Sequence, residues 1–178
     1  MNSLDWRIKR LTQDTVLDTS FDCGNTELNG FLLEDAKDYQ KRHLATTYIA
    51  ASKGSILGYF SLSNDKMDLD DSDKPTWRRI KASFPYSKHR KDYPAIKIGR
   101  FGIDRRCQKK RLGSILINLI KEMFSRPDLR SGCTFLTVDA LQEAIPFYQK
   151  NGFKRLSPST AASSNTTELL YYDLSQLF

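Results

Sequence analysis

The 178-residue sequence predicts a mixed α/β (α+β) fold in one domain. Three observations carry that prediction. Two runs rich in β-branched and aromatic residues, "ATTYIAAS" (45–52) and "ILGYFSLS" (56–63), flank Gly54-Ser55 and read as an antiparallel hairpin. A strand-like run at 95–103 leads through a short polar turn into a strongly amphipathic helix. A buried strand, "CTFLTVDA" (133–140), is followed by a short helix and two closing strands.

Taken in order, "DWRIKRLT" (5–12) reads as a first strand. "FDCGNTELNGFLLEDAKDYQKRH" (21–43) reads as a turn and a helix, with Asn25 as N-cap and Leu28, Phe31, Leu32, Ala36 and Tyr39 on one apolar face. After the hairpin comes a charged insertion at 64–94, read as a partly helical segment or a long loop. Its first part, "NDKMDLDDSD", is acidic. Its second part is basic, with Lys74, Arg78, Arg79, Lys81, Lys88, Arg90 and Lys91 interleaved with Trp77, Phe84 and Tyr86. In the strand 95–103, Ile96 and Ile98 share one face while Phe101 and Ile103 have the opposite parity. That places a one-residue slip, the signature of a β-bulge, at Gly99-Arg100. The helix that follows carries Leu112, Ile115, Leu116, Leu119, Ile120, Met123 and Phe124 as a one-sided stripe. "QEAIPFYQKNG" (142–152) is a short helix. Pro146 implies a late start or a bend, and Gly152 is placed to end it. "FKRLSP" and "TELLYYDLS" close as strands, and the Ser/Thr/Ala-rich run 157–167 between them reads as a loop.

Composition excludes several function classes. No apolar run approaches membrane-spanning length, and the first residues lack a signal-peptide core, so the expectation is a cytoplasmic protein with no membrane partner. Cys23, Cys107 and Cys133 are odd in number and without CxxC spacing, which argues against a disulfide framework or a metal site. His43 and His89 sit in basic surroundings and read as solvated. The net charge of +7 favours anionic partners or cofactors.

The stretch "QKKRLGS" (108–114), between strand and helix, raises the question of phosphate binding. A helix N-terminus offers about four unpaired N–H groups and a partial positive charge. Gly113 permits close backbone approach, and Lys109, Lys110 and Arg111 add charge. Alone, the same residues fit an ordinary basic surface turn.

The order strand, "QxxRxG" turn, helix, strand, "FYQKNGF" resembles the GCN5-related N-acetyltransferases (GNAT). That resemblance implies a central twisted, mixed but mostly antiparallel sheet with helices on both faces and a bulged central strand. It implies acetyl-CoA as co-substrate, its pyrophosphate held by Gln108, Lys109, Lys110, Arg111, Leu112, Gly113 and Ser114, with Phe101, Gly102 and Ile103 along the pantetheine arm. Tyr148, in "AIPFYQKNGF", would protonate the departing thiolate; the bland reading is a core tyrosine beside Phe147 and Phe153. Because neighbours on a helix diverge by about 100°, one of Phe147 and Tyr148 is expected to pack inward and the other to face the cleft. Arg111 stands where the family turn has its first glycine, and it is expected to keep a negative φ, since arginine does not easily turn left-handed. Leu141 or Gln142 stands where many relatives carry an Asn.

Within the family, "FDCGNTELNGFL", "GRFGID" (99–104) and "FYQKNGF" (147–153) resemble the acetyltransferase toxins of bacterial toxin–antitoxin modules. That implies an acceptor that is the α-amine of aminoacyl-tRNA, a homodimer, and a small antitoxin partner. Trp77, Arg78, Arg79, Lys81, Lys88 and Arg90 would then face tRNA; the competing reading is a solvated insertion whose aromatics cover the core edge. A non-toxic relative acting on a small-molecule or protein amine would carry the same motifs. The nearest candidate base is Asp139, a position that equally suits a helix cap. An α-amine titrates near ~8 and a lysine near ~10.4, a difference of about 3 kcal/mol in deprotonation, so a site without a base suits an α-amine.

Overall fold

A computed structural model describes residues 6–68, 74–82, 92–126, 131–156 and 167–177. The strands are β1 (Arg7–Arg10), β2 (Thr46–Ser52), β3 (Ser55–Asp68), β4 (Asp92–Ile103), β5 (Phe135–Leu141), β6 (Lys154–Arg155) and β7 (Thr167–Asp173). The helices are α1 (Thr26–Gly30) and α2 (Ala36–Lys41), joined by a π turn at Phe31–Asp35, then α3 (Lys74–Ala82), α4 (Leu112–Ser125) and α5 (Ile145–Lys150). The sheet order is β1-β2-β3-β4-β5-β7-β6. β4 runs parallel to β5, whereas β1/β2, β2/β3, β5/β7 and β6/β7 are antiparallel, so the sheet is mixed and mostly antiparallel. Among the described residues no helix is long and apolar enough to cross a membrane.

The chain divides into two compact units, Met1–Ser63 with Ile98–Leu119, and Asn64–Lys97 with Ile120–Phe178. In the first, Leu11, Phe21, Phe31, Leu32, Ala36, Ile49, Ile56 and Tyr59 form the core. Tyr59 stacks on Phe31 at 6.3 Å and donates to Leu28 O at 2.7 Å, so one face of β3 carries the α1–α2 arm. The neighbouring Gly58 points the other way, and a Cβ built there would lie 3.4 Å from Leu116 of α4. Helices therefore cover both faces of this part of the sheet. Asn25 caps α1 as expected, its side chain accepting from Leu28 N–H. Tyr39, assigned to the apolar face, is 39% exposed. Its ring still lies edge-on to Phe31 at 5.2 Å; the π turn before it has Ala36 N–H bonded back five residues to Phe31 O.

In the second unit, Met67, Ile80, Tyr93, Ala95, Phe135, Leu156 and Tyr171 pack together, with Trp77 and Leu169 against them. Tyr171 is opposite Thr137 and faces α3; Tyr172 is opposite Leu136 on the other face, against Phe153. The charged insertion is resolved into the end of β3, the helix α3 and the start of β4; Lys88, Arg90, Lys91, Phe84, Tyr86 and the run 157–166 lie outside the described residues.

β4 keeps one unbroken register against β5 from Ala95 to Lys97, and Arg100 and Gly102 beyond it share the other parity, so the change of phase falls after Lys97, in the stretch that holds Gly99-Arg100. One expectation shifts: on α4, Ile115 is 46% exposed while Ile117 is fully buried.

Candidate active site

β4 ends in a clamp. Asp104, only 2% exposed, caps the 3-10 turn Arg105–Cys107 and accepts from Arg106 N–H at 2.9 Å. The Arg106 guanidinium grips both its carboxylate oxygens, Nε at 2.8 Å and Nη2 at 2.9 Å, and Asp22 N–H adds a third source. These charge-assisted bonds, that from Arg106 first, hold the Asp104 carboxyl below its ordinary pKa. Gln108 Nε2 donates to Ile103 O at 2.9 Å and to Cys23 O at 2.8 Å. Its side chain thus pins the turn to the "FDCG" segment, and what it offers a ligand is the backbone it fixes.

Past that pin the backbone turns left-handed twice, at Lys109 (φ 59°) and Arg111 (φ 66°). The expectation of a negative φ at Arg111 is therefore corrected: the arginine adopts the conformation a glycine would take here. The last bond before this stretch is Gln108 N–H to Asp104 O and the next is Ile115 N–H to Arg111 O. Between them the N–H groups of Lys109, Lys110, Arg111, Leu112, Gly113 and Ser114 find no backbone acceptor among the described residues. Leu112 anchors the start of α4 in the core, and the side chains of Lys109, Lys110 and Arg111 are exposed. Unpaired amides at a helix N-terminus, rimmed by three cations, form an anion cradle.

On the strand leading there, Gly102 is held close: a Cβ would fall 2.8 Å from Tyr59 Cε1. Phe101 and Ile103 are half-buried. Arg100 lies over the Phe31 ring at 5.3 Å and pairs with Glu27 at 3.2 Å.

Tyr148 sits on α5, which starts late, with Pro146 in its first turn after the 3-10 turn Gln142–Ala144. Gly152 has φ 85° and ends the helix as expected. Tyr148, at 5% exposure, is the inward member of the Phe147–Tyr148 pair and lies edge-on to Phe147 at 5.2 Å and Phe153 at 5.4 Å, the packing that the core-tyrosine reading expects. Burial pushes its phenol pKa up, which keeps it protonated through the physiological range. Asp139 is ion-paired with Lys97 at 2.5 Å, both half-exposed, so its carboxylate is already engaged.

The basic residues of α3 divide. Ile80 is buried, and Trp77 lies edge-on to Tyr93 at 6.3 Å, covering the core. Lys81 Nζ rests 4.9 Å from the Trp77 ring and Arg79 Nη2 bonds Tyr171 Oη at 2.5 Å, whereas Lys74 and Arg78 are exposed. A cavity of about 710 Å³ is lined by Asp65, Pro94, Met123, Phe124, Arg126 and Cys133 among others, and holds none of the expected site residues. Among the described residues no group of three His, Cys, Asp or Glu could hold a metal, and the three cysteines are free.

The description "Acetyltransferase (GNAT) family" matches residues 14–153. The chain belongs to the GNAT acetyltransferase family. Three solved structures resemble it over nearly their full length. AtaT complexed with acetyl-methionyl-tRNAfMet is 26% identical, with TM-score 0.76 and 97% of each chain covered. A tyrosine-to-phenylalanine mutant of KacT is 26% identical, with TM-score 0.78, covering 97% of this chain and 99% of that one. AtaTR bound with acetyl-CoA is 25% identical, with TM-score 0.72, covering 97% and 96%.

This GNAT chain is an acetyl-CoA-dependent N-acetyltransferase. The cradle fits that co-substrate: its unpaired amides and three exposed cations suit a diphosphate. Sequence reasoning missed the parts that build it, Asp104, Arg106 and Asp22. Their signal was present, since an Asp directly after a strand and two residues before an Arg is a capping pattern.

Proposed function

We propose that this acetyltransferase transfers acetyl to the α-amine of an aminoacyl-tRNA, in the manner of a translation-inhibiting toxin. The observation that carries the reading is the likeness to AtaT complexed with acetyl-methionyl-tRNAfMet, 26% identical over 97% of both chains. The exposed cations Lys74 and Arg78 on α3 support it. Lys88 and Arg90, which lie outside the described residues, are proposed as further tRNA contacts on their charge alone, while Trp77, Arg79 and Lys81 contribute through the ring contacts they make.

Each residue has a role in this reading. The amides from Lys109 to Ser114 bind the CoA pyrophosphate, with Arg111 adding charge. Gln108 fixes the turn. Phe101, Gly102 and Ile103 present strand backbone to the pantetheine arm. Tyr148 donates its proton to the departing CoA thiolate. A thiol with pKa near ~8.5 is a fair leaving group that asks little of an acid; burial makes the phenol a weaker acid, and the proton shed by the newly acetylated nitrogen restores it through solvent. No protein base is assigned; the α-amine, with pKa near ~8, is partly neutral at working pH. In this reading residues 1–178 are a single catalytic domain, cytoplasmic and dimeric, and a small antitoxin of the AtaR kind, named in the AtaT-AtaR complexes, is its partner.

The test offers purified protein radiolabelled acetyl-CoA with bulk aminoacyl-tRNA and, in separate arms, free amino acids and polyamines. Label on tRNA that is released when the ester is hydrolysed supports the reading. Turnover only with a small amine moves the acceptor to the small-molecule class and leaves the acetyltransferase intact.

A further inference from the structure

Lys121 is a buried cation that the reaction, as described so far, leaves unused. It lies on α4 and is 9% exposed. Its ammonium donates to Asn151 O at 2.6 Å and rests 3.9 Å from the centroid of the Tyr172 ring. Desolvation alone shifts its pKa, downward, and no carboxylate partner offsets that cost among the described residues. A buried ammonium without a carboxylate costs stability, and an unbranched apolar residue of the same length would fill this site without that cost. Stability therefore does not explain the lysine.

Its contacts do. Asn151 is the C-cap of α5, and its own N–H and Nδ2 both donate to Phe147 O. The ammonium thus sits at the negative end of the helix that carries Tyr148. Its second contact, Tyr172, begins a row of rings: Phe153 follows at 5.6 Å and Tyr148 at 5.4 Å beyond that. Phe153 N–H also bonds Tyr148 O at 3.1 Å. Gly152 leaves room for this arrangement, since a Cβ there would lie 3.1 Å from Tyr172 and 3.9 Å from Lys121 Nζ.

We infer that Lys121 is a positioning residue: it fixes the C-terminal end of α5 and the far end of the aromatic row, and so sets the orientation of the Tyr148 phenol. The inference rests on Tyr148 being the acid of the reaction.

The experiment uses the full chain, with Lys121→Met and Lys121→Arg, each also combined with Tyr148→Phe. Turnover is measured at saturating acetyl-CoA with whichever of bulk aminoacyl-tRNA, free amino acids or polyamines is acetylated. Lys121→Met should lower kcat about tenfold, leave KM for acetyl-CoA within about twofold, and leave Tm unchanged or raised. Lys121→Arg should restore most of the kcat. In the Tyr148→Phe background, Lys121→Met should have no further effect. Without any acceptor, hydrogen exchange of the Asn151 and Phe153 amides should speed up in Lys121→Met and return towards wild type in Lys121→Arg. Unchanged exchange, unchanged kcat, or an equal loss in both backgrounds overturns the inference. If Tyr148→Phe alone keeps full turnover, Tyr148 is not the acid, and that failure is visible independently of any effect at Lys121.

Discussion

Arg111→Gly should stabilise the protein. Arg111 holds φ 66°, in the left-handed region. A non-glycine residue there costs roughly 1–2 kcal/mol, from the approach of Cβ to the following carbonyl. Glycine removes that cost but loses more backbone entropy on folding, by roughly 0.5–1 kcal/mol relative to a residue with a side chain. The balance is about 0.5–1 kcal/mol in favour of glycine, which for a chain of this size raises Tm by roughly 1–4 °C. The control is Arg111→Ala, which removes the guanidinium but keeps Cβ. It should bring no such gain. The two substitutions also part the two ways Arg111 serves acetyl-CoA. Its exposed guanidinium is a screened charge worth at most about 1 kcal/mol, so both variants should bind acetyl-CoA less than about tenfold more weakly. Differential scanning fluorimetry with and without acetyl-CoA reads both quantities. A fall in Tm for Arg111→Gly, or equal Tm for the Gly and Ala variants, would refute the strain assigned to this turn.

Asp104→Asn should cost roughly 2–4 kcal/mol in urea unfolding, because it weakens several hydrogen bonds to a buried carboxylate and leaves Arg106 without its partner. The pKa of Asp104 is depressed in the folded state, so its stabilisation is complete above the unfolded value near ~3.9 and is lost as pH falls through the folded value; the Asn variant should show a shallower acid limb. Tyr148→Phe should lower kcat by about 10²-fold or more with acetyl-CoA binding kept; since burial raises the Tyr148 pKa, no alkaline limb below about pH 10 should belong to it, and a limb near pH 8–9 that vanishes in the Phe variant would contradict the assignment. Arg78→Glu should weaken tRNA binding and flatten its salt dependence, read by filter binding between low and moderate salt; unchanged binding would move the interface off α3.

The strands and helices were largely legible because their periodicities are strong. The hairpin, β5 and the late start of α5 all lie where alternation, β-branching and Pro146 place them. The buried side of α4 was harder. Residues on a helix are about 100° apart, and its apolar positions from Ile115 round to Ile117 span more than half the circumference. Such a wide apolar arc does not say which part faces the core. The buried residues are Leu112, Leu116, Ile117, Ile120 and even Lys121, an arc centred away from Ile115. Trp77 was ambiguous for a related reason: an aromatic among cations suits base stacking and core covering equally, and only the Tyr93 ring beside it distinguishes them.

The cradle shows a different limit. Its sequence was read as a local motif, a glycine-bearing basic turn before a helix. What fixes its shape is non-local. Asp22 N–H donates to Asp104, Arg105 N–H donates to Asp22 O, and Gln108 reaches Cys23 O, so residues 22–23 and 104–108 form one hydrogen-bonded unit across some eighty positions of chain. Asn29 tightens it from the helix side, donating to the Asp22 carboxylate at 2.8 Å and accepting from Cys23 N–H at 2.9 Å. The turn can hold two left-handed non-glycine residues because this clamp over-determines the backbone on its N-terminal side while Leu112 anchors the other. The "FDCGN" and "GRFGID" segments, which look like two independent motifs in the sequence, are therefore two halves of one support. A substitution at Asp22 or Asn29, far from the cradle in sequence, acts on the same amides as one at Gln108.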